Sequence, residues 1–378
     1  MKKIITTVGT SLFENYLRNS KDSEFKDWYE TLNEDNKLSA NDLDSYEYKN
    51  IAKNIKEVLK KIFDGSNNIS AEIKSLIKIK QQLKDDLEIY LLYSDTASGR
   101  LSAEIIKEFL PKYEEFKNAE IKIKKIENLQ IWNEDKFEKG MKFLIDEIYE
   151  IANNGYYWDD IIINITGGFK ATIPYLTILA QINNCPLYYI FENTDSLMEI
   201  TNIIPIEIKT EIFDNYYETF EKIENETPNI NEIDNDFRTK CDSFIKRVEI
   251  DGNEYVELNL LGQILWKNYK SKFFVFYAPE DIYKEIENQE NIKRIIKEKL
   301  SIMEMRKSKT EQKNNHFVYD DGNNQYRIFY FEDNGKIYIY KTFEDHNEYE
   351  RYLNKTSFNN NLRNDIISKS KKYKWEVK

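Results

Sequence analysis

The sequence predicts an α/β protein in three parts. A Rossmann-like parallel-sheet domain spans residues 1–205, a small helical or winged-helix-like connector spans 206–290, and a C-terminal α+β domain spans 291–378. In the first part, apolar strand-like runs alternate with amphipathic helical segments, which is typical of a parallel sheet. The pattern turns polar and helical after residue 205, and near the C-terminus it switches to a period of two, which indicates a hairpin.

The first part opens with "KKIITTVGTSL", which predicts a strand followed by a turn of small residues. Residues 20–85 are mostly polar. The helical period of "YKNIAKNIKEVLKKIF" and "AEIKSLIKIKQQLKDD" predicts helices there, and we interpret this segment as a helical insertion before the second strand.

The following elements alternate regularly along the chain. "LEIYLLYSDTASGR" predicts a strand and a turn, "LSAEIIKEFLPKYEEF" a helix, and "AEIKIKKIENL" a short strand. "DKFEKGMKFLIDEIYEIANNG" is an amphipathic helix, and "DDIIINITGG" is a buried strand with a turn. "FKATIPYLTILAQINN" predicts an apolar helix with Pro174 inside it, and "CPLYYIFENTDSLMEI" predicts one further strand with a polar extension.

The rest of the chain has a different pattern. "TEIFDNYYETFEKIENE" predicts a helix, and "RVEIDGNEYVELNLLGQILWKNY" predicts a hairpin around Asp251-Gly252 followed by a helix. "PEDIYKEIENQENIKRIIKEKLSIMEMRKS" predicts one long helix with Pro279 near its start. "QYRIFYFEDNGKIYIYKTF" predicts a second hairpin, and "EDHNEYERYLN" predicts a helix after it.

Composition limits the class of protein. Of the 378 residues, 40% are hydrophobic and none form an apolar run of 18, so we expect no membrane span. Two distant cysteines give neither a disulfide framework nor a zinc site, which favours a reducing cytoplasm. The net charge of −12 argues against a protein coated in nucleic acid. Residues 301–378 carry 15 basic against 12 acidic residues, so any polyanion contact is local, although "SKSKKYKW" also reads as a solvated tail.

Three turns that follow predicted parallel strands share small, hydroxylated and basic residues. Ligands bind beyond the carboxyl ends of such strands, and glycines, hydroxyls and cations beside helix starts suit a phosphate. Helix capping is the alternative, and neither GxGxxG nor GxxxxGKS/T occurs. The candidate ligand-binding residues are Gly9, Thr10 and Ser11 in the first turn; Asp95, Thr96, Ser98, Gly99 and Arg100 in the second; and Thr166, Gly167, Gly168, Phe169 and Lys170 in the third.

The strings "TTVGTSL", "SDTASGRLSAEIIKEFL" and "NITGGFKATIPYLTILAQ", in this order, resemble the signature turns of CRISPR-associated Rossmann-fold (CARF) sensor proteins. "YYIFENTDSLMEI" resembles the strand that follows in that family. The resemblance implies a homodimer that binds a cyclic oligoadenylate across its two-fold axis. This ligand would be an allosteric activator made by a type III CRISPR complex, and no other cofactor is expected. We favour cyclic tetraadenylate over hexaadenylate.

The commonest output domain of that family is a HEPN ribonuclease, marked by an arginine, four to six residues and then a histidine. Nine residues separate Arg306 from His316, and eighteen separate Arg327 from His346, so this class is disfavoured. A metal-dependent nuclease is also disfavoured, because the acidic residues of "FEDNGK" are adjacent on a predicted strand and face opposite sides. We expect no metal site.

The last eighty or so residues resemble the RelE family of mRNA interferases. The resemblance is carried by "YRIFYFEDNGKIYIYKTFEDHNEYERYL" after a helix and a basic loop. It implies RNA cleavage without a metal, in which a 2′-hydroxyl attacks the adjacent phosphate while Lys, Arg, Tyr or His side chains move protons and stabilise charge. The candidate catalytic residues are Arg306, Lys309, His316, Arg327, Lys341, His346 and Tyr349.

Two of these cations fall on the hairpin around Asn334-Gly335. A two-residue turn would set Lys341 opposite Ile328, on the other face from Arg327. Only a bulge or a longer turn would bring the two cations together.

Together, the two resemblances imply a cyclic-oligoadenylate-activated, metal-independent endoribonuclease of type III CRISPR antiviral defence, which cuts free RNA or mRNA on the ribosome. One alternative is a CARF transcription regulator, which the mixed charge of "LNLLGQILWKNYKSK" disfavours. The other is a ring nuclease that degrades the cyclic oligoadenylate. The expected partners are a second copy, the cyclic oligoadenylate and RNA, with no membrane.

Overall fold

A computed structural model describes residues 1–33, 38–63, 69–83, 85–153, 157–191, 196–200, 210–320, 322 and 325–377. The chain forms two compact units, Met1–Trp266 and Lys267–Lys378. Each unit contains a six-stranded sheet, and the first unit also contains a two-stranded one. The predicted fold class, a Rossmann-like α/β part with an α+β part, is confirmed. The predicted three-part division at residues 205 and 290 remains an interpretation of the sequence.

The first sheet has the strand order β3-β2-β1-β4-β5-β6. All its neighbours pair in parallel except β5 and β6, which are antiparallel. Every residue of β2 is buried, as expected for a parallel strand covered on both faces. The strands are β1 (Lys2–Val8), β2 (Leu87–Ser94), β3 (Glu120–Ile126), β4 (Ile161–Asn164), β5 (Leu187–Ile190) and β6 (Leu197–Ile200).

Helices cover both faces of this sheet. Side chains alternate along β1, so that Ile4 and Val8 pack with α1 to α5 on one face, while Ile5 packs with α6 and α7 on the other. The helices are α1 (Ser11–Asn19), α2 (Ser23–Asn33), α3 (Tyr46–Ile62), α4 (Ala71–Gln82), α5 (Ala97–Phe109), α6 (Glu134–Ile151) and α7 (Ile173–Ile182). The helices α1 to α4 all lie between β1 and β2, which confirms a helical insertion there.

The first unit continues with a helical segment and a hairpin. Its aromatic core includes Phe220 and Trp266, whose rings stack with centroids 5.2 Å apart. The predicted turn at Asp251-Gly252 is confirmed, because both residues have the positive φ angles that a two-residue hairpin turn requires. The elements are α8 (Glu211–Asn215), α9 (Tyr217–Asn225), α10 (Asn235–Lys240), β7 (Ile245–Ile250), β8 (Asn253–Leu258) and α11 (Leu260–Ser271), which runs on into the second unit.

The second unit has the strand order β10-β11-β12-β13-β9-β14. Strands β9 and β13 are parallel, and the other neighbours are antiparallel. Helices α12 and α13 cover one face, and α15 and α16 cover the other. The elements are β9 (Phe273–Pro279), α12 (Glu280–Asn288), α13 (Glu290–Ile295), α14 (Met303–Ser308), β10 (Thr310–Lys313), β11 (His316–Tyr319), β12 (Arg327–Asp333), β13 (Lys336–Phe343), α15 (His346–Lys355), α16 (Asn360–Lys369) and β14 (Ser370–Glu376).

The structure corrects several element boundaries. The single helix predicted over 279–308 is divided into α12, α13, a π turn over Ile296–Leu300, and α14. The predicted basic loop is the hairpin of β10 and β11. "SKSKKYKW" covers the end of α16 and most of β14, with Trp375 buried, so this stretch is not a solvated tail.

Two boundaries in the first unit also differ. Pro174 lies in the first turn of α7, where its missing N–H costs nothing, because the helix begins only at Ile173. The single strand predicted after Cys185 is instead the antiparallel pair of β5 and β6.

The two cysteines, Cys185 and Cys241, are buried free thiols. Burial raises the pKa of Cys185 to about 12 and that of Cys241 to about 11, which keeps both thiols protonated at neutral pH. In the part of the chain that the structure describes, no helix is long and apolar enough to cross a membrane.

Candidate functional site

The three candidate turns lie at the same edge of the first sheet. They follow the carboxyl ends of β2, β1 and β4, which are neighbours in that order. The connections from β1 and from β4 run towards opposite sides of the sheet, so the point between these two strands is the topological switch point where ligands bind in open α/β sheets.

The first and third turns are in direct contact at this point. The Thr7 hydroxyl donates to the Gly167 carbonyl oxygen at 2.6 Å. A Cβ on Gly9 would lie 2.8 Å from the Gly168 nitrogen, and a Cβ on Gly168, whose φ is +85°, would lie 2.8 Å from the Thr7 Cβ. The glycines are therefore needed because two backbones meet here.

A buried glutamate that sequence reasoning missed lies between the same two turns. Glu72, in the first turn of α4, is fully buried. Its Oε1 accepts the Gly9 N–H at 2.8 Å, and its Oε2 accepts the Ser11 hydroxyl at 2.7 Å. A Cβ on Gly167 would lie 2.1 Å from Oε1. A serine followed by a glutamate at a helix start is ordinary capping sequence, so no signal in the chain separated Glu72 from an exposed helix residue.

The third turn is shaped by Asn164, the last residue of β4. Its Oδ1 accepts both the Thr166 N–H, at 3.2 Å, and the Thr166 hydroxyl, at 2.8 Å. The same hydroxyl accepts the Ile190 N–H at 3.1 Å, which ties the turn to β5. Beyond it, Phe169 is half-buried and Lys170 is exposed.

The second turn acts largely as a helix cap. The Thr96 hydroxyl accepts the Gly99 N–H at 3.0 Å, and it lies 2.9 Å from the Ser94 hydroxyl. Ser98 hydrogen-bonds to Asn33 of α2 at 3.3 Å. Thr96, Ser98 and Gly99 are all buried. The capping alternative therefore describes what Thr96 and Gly99 do in this structure, whereas Ser98 contacts α2.

Arg100 and Asp95 bind to the inserted segment. The Arg100 guanidinium donates to both carboxylate oxygens of Asp44, at 2.8 and 2.9 Å, and to Glu104 at 3.0 Å. These bonds hold the pKa of Arg100 above its usual value and that of Asp44 below it. Asp95 accepts the N–H groups of Ala40 and of Asn128, each at 3.3 Å.

The structure thus divides the candidate ligand-binding set. The residues of the first and third turns meet at the switch point, whereas those of the second turn hold α5 and the insertion in place. In the first and third turns, every candidate is partly or fully accessible: Gly9, Thr10, Ser11, Thr166, Gly167, Gly168, Phe169 and Lys170. Asp95 and Arg100 of the second turn are also partly accessible, but their side chains bond to the inserted segment. This edge offers hydroxyl oxygens as hydrogen-bond acceptors, together with one exposed ammonium group, which suits a polar ligand carrying hydroxyls and phosphates.

In the second unit, two candidate catalytic residues lie beside the aromatic ring of a third, Tyr349. The Arg327 guanidinium lies 5.7 Å from the centre of the Tyr349 ring, and the His346 ring lies 5.5 Å from it. The Lys313 ammonium, which sequence reasoning missed, lies 5.7 Å from the same centre. We call Lys313, Arg327, His346 and Tyr349 the Tyr349 cluster.

Carboxylates hold the cations of this cluster in place. Asp320 pairs with Arg327 at 2.9 Å, and Glu311 pairs with Lys313 at 2.8 Å. The Glu311 carboxylate and, to a smaller extent, a hydrogen bond with Tyr349 raise the pKa of Lys313. His346 is exposed at the start of α15, and its Nε2 lies 3.7 Å from a carboxylate oxygen of Glu350.

The hairpin that carries Arg327 contains the bulge that the sequence left open. The turn has two residues, yet the register shifts after Phe329, so that Lys341 lies opposite Phe329 and not opposite Ile328. By alternation, Lys341 therefore shares the side of Arg327. Its ammonium nevertheless pairs with Glu285, at 3.3 Å.

The remaining candidates serve other contacts. Arg306 is buried and bonds to Glu332 and to the Leu300 carbonyl oxygen, at 2.9 and 2.8 Å. The Lys309 side chain is exposed, next to β10.

His316 is fully buried, and both of its ring nitrogens are engaged. Its Nε2 lies 3.1 Å from the Thr356 carbonyl oxygen and must donate to it, so Nδ1 accepts the Tyr340 hydroxyl at 2.7 Å. Burial lowers the pKa of His316. In the described residues, no group of three or more His, Cys, Asp or Glu side chains is placed to hold a metal ion.

The comparisons with known proteins bear on the first unit. Residues 67–203 match the family model described as CRISPR-associated protein (Cas_APE2256). The matched region covers about a third of the chain and includes Glu72 and the second and third turns. No curated protein matches the sequence. The family match supports a CRISPR-associated protein.

Proposed function

We propose that the chain is a cyclic-oligoadenylate-activated, metal-independent endoribonuclease of type III CRISPR antiviral defence, which works in the cytoplasm as a homodimer. The observation that carries the proposal is the meeting of the first and third turns at the switch point between β1 and β4. The match of residues 67–203 to a CRISPR-associated family supports the CRISPR association in this proposal.

The activator is assigned to the edge formed by the first and third turns. Each nucleotide of a cyclic oligoadenylate carries a ribose hydroxyl, an adenine amino group and a phosphate. The hydroxyl oxygens of the turns suit the first two, and Lys170 suits the phosphate. We favour cyclic tetraadenylate over hexaadenylate.

The ribonuclease activity is assigned to the Tyr349 cluster. In the proposed step, the 2′-oxygen of one nucleotide bonds to the adjacent phosphorus as the bond to the 5′-oxygen breaks, leaving a 2′,3′-cyclic phosphate and a 5′-hydroxyl. Lys313 and Arg327 stabilise the charge that develops on the phosphorus oxygens. His346, exposed at the start of α15, moves the proton of the attacking or leaving oxygen.

The test incubates the purified protein with cyclic tetraadenylate or hexaadenylate, with and without EDTA, and supplies naked RNA or translating ribosomes. We expect ligand-dependent RNA cleavage that survives EDTA. Ligand binding without RNA cleavage under every condition would exclude the ribonuclease. Disappearance of the ligand itself under those conditions would favour the ring nuclease.

A pair of variants locates the nuclease site. Lys313→Gln removes a cation of the Tyr349 cluster and should slow cleavage about tenfold or more. Lys341→Gln removes the neighbouring cation that pairs with Glu285 and should slow it less than threefold. Equal losses in the two variants would count against the Tyr349 cluster.

A further inference from the structure

The hydroxyl groups of the candidate ligand site direct their protons into the protein. A hydroxyl whose hydrogen already forms a hydrogen bond within the protein can offer a bound molecule only its lone pairs. Four side chains share this state, with donor–acceptor distances from 2.6 to 2.9 Å: Thr7 donates to Gly167, Thr10 to Glu14, Ser11 to Glu72, and Thr166 to Asn164.

Among these acceptors, Glu72 holds two donors of the first turn. It binds the Gly9 N–H as well as the Ser11 hydroxyl. The Ser11 oxygen also accepts the Ala71 N–H at 3.0 Å, so one lone pair is left for a ligand. A phosphate at this turn would find neither donor available, and its charge would lie beside the buried Glu72 carboxylate.

We propose that Glu72 is a specificity residue, which excludes phosphate from the turn after β1 and makes Ser11 an acceptor for a neutral donor of the nucleotide. That donor is a ribose hydroxyl or the adenine amino group. The phosphates then lie towards the third turn and Lys170. This inference rests on the proposed function, because it concerns how the same ligand is held.

The test measures binding of three rings by calorimetry: cyclic tetraadenylate, its 2′-deoxy analogue, and cyclic tetrainosinate, which lacks the amino group. We expect the wild-type protein to bind at least one analogue about tenfold or more weakly than the parent ring, since Ser11 would lose its donor. The analogue that is rejected identifies which group Ser11 binds.

The Glu72→Gln variant tests the cause. A glutamine oxygen still accepts the Gly9 N–H, but its amide nitrogen donates to the Ser11 oxygen, so the Ser11 proton turns towards the ligand. The variant also removes the negative charge. We expect the discrimination between parent ring and rejected analogue to shrink about tenfold, because Ser11 no longer offers a lone pair to the group that the analogue lacks.

Ser11→Ala serves as a second variant if Glu72→Gln does not fold, as judged by thermal unfolding. It removes the acceptor and keeps the carboxylate, so it should lose the discrimination by weakening the parent ring alone. Equal wild-type binding of all three rings would overturn the role of Glu72 and leave the proposed function standing. Unchanged discrimination in Glu72→Gln would do the same. Binding of none of the rings would overturn the proposed function, and this inference with it.

Discussion

The edge of the first sheet and the Tyr349 cluster organise polar groups in different ways. At the sheet edge, three segments distant in sequence bond to one another through Glu72, Thr7 and the turn glycines. In the Tyr349 cluster, Lys313 pairs with Glu311 and Arg327 pairs with Asp320, and both cations lie beside the same aromatic ring. Parallel topology joins groups across the chain, whereas antiparallel hairpins gather groups that are already near one another.

The largest expected effect is a loss of stability on substitution of a glycine at the edge of the first sheet. Gly168→Ala combines a positive φ with a Cβ only 2.8 Å from the Thr7 Cβ, so we expect a loss of about 3 kcal/mol in the free energy of unfolding. Gly252→Ala is the matched control, because its φ is +75° and nothing lies within 4 Å of the added carbon. It should cost about 1 kcal/mol. Urea denaturation followed by fluorescence measures both, and equal losses would contradict the close approach of the two turns.

A smaller effect, on ligand affinity, distinguishes Lys170 from Arg100, which sequence analysis assigned to the same ligand site. Lys170→Ala should weaken binding of cyclic tetraadenylate about tenfold or more, because the exposed ammonium is the cation of the third turn. Arg100→Lys should change affinity less than threefold, because the guanidinium bonds to Asp44 and Glu104. Calorimetry on both variants decides the matter. Unchanged affinity in Lys170→Ala would remove this residue from the site.

The smallest expected effect is on the pH dependence of thermal stability, through His316 in the second unit. Since burial lowers the pKa of His316 below its usual 6.5, the unfolded chain takes up a proton first as the pH falls. The stabilising contribution is complete above pH 6.5 and is lost as the pH falls towards the folded-state pKa. We expect the Tm to decline less between pH 7.5 and 5 in His316→Gln than in the wild type. Equal slopes of Tm against pH in His316→Gln and the wild type would contradict this role of the buried ring.

Much of the fold could be predicted because hydrophobic period and turn chemistry act locally. The buried runs of β1, β2 and β4 gave the parallel sheet, and the pair Asn334-Gly335 gave the second hairpin, with both residues at positive φ. The three turns also lie where the strand pattern put them. The strand β9 escaped prediction, although "KFFVFYAP" alternates in burial, because it lies between two predicted helices.

The candidate sites were less accessible to sequence reasoning. Glu72 and Arg100 look alike in sequence, as charged residues near helix starts, and only tertiary contacts bury one and pair the other with Asp44. His316 was proposed as an acid or base beside a basic loop, but that loop is a hairpin whose strand turns the ring inward. Charge and spacing indicate chemistry, but the partners of a side chain depend on segments far away in the chain.

The position of β9 in its sheet has a consequence for the order of events during synthesis. β9 is made first in its unit, yet its two neighbours, β13 and β14, follow it by roughly 60 and 90 residues. The first sheet, by contrast, gains its last described strand at Ile200. An emerging chain can therefore complete its parallel sheet while the second sheet still lacks its partners. The unit that holds the Tyr349 cluster is the later of the two to become competent.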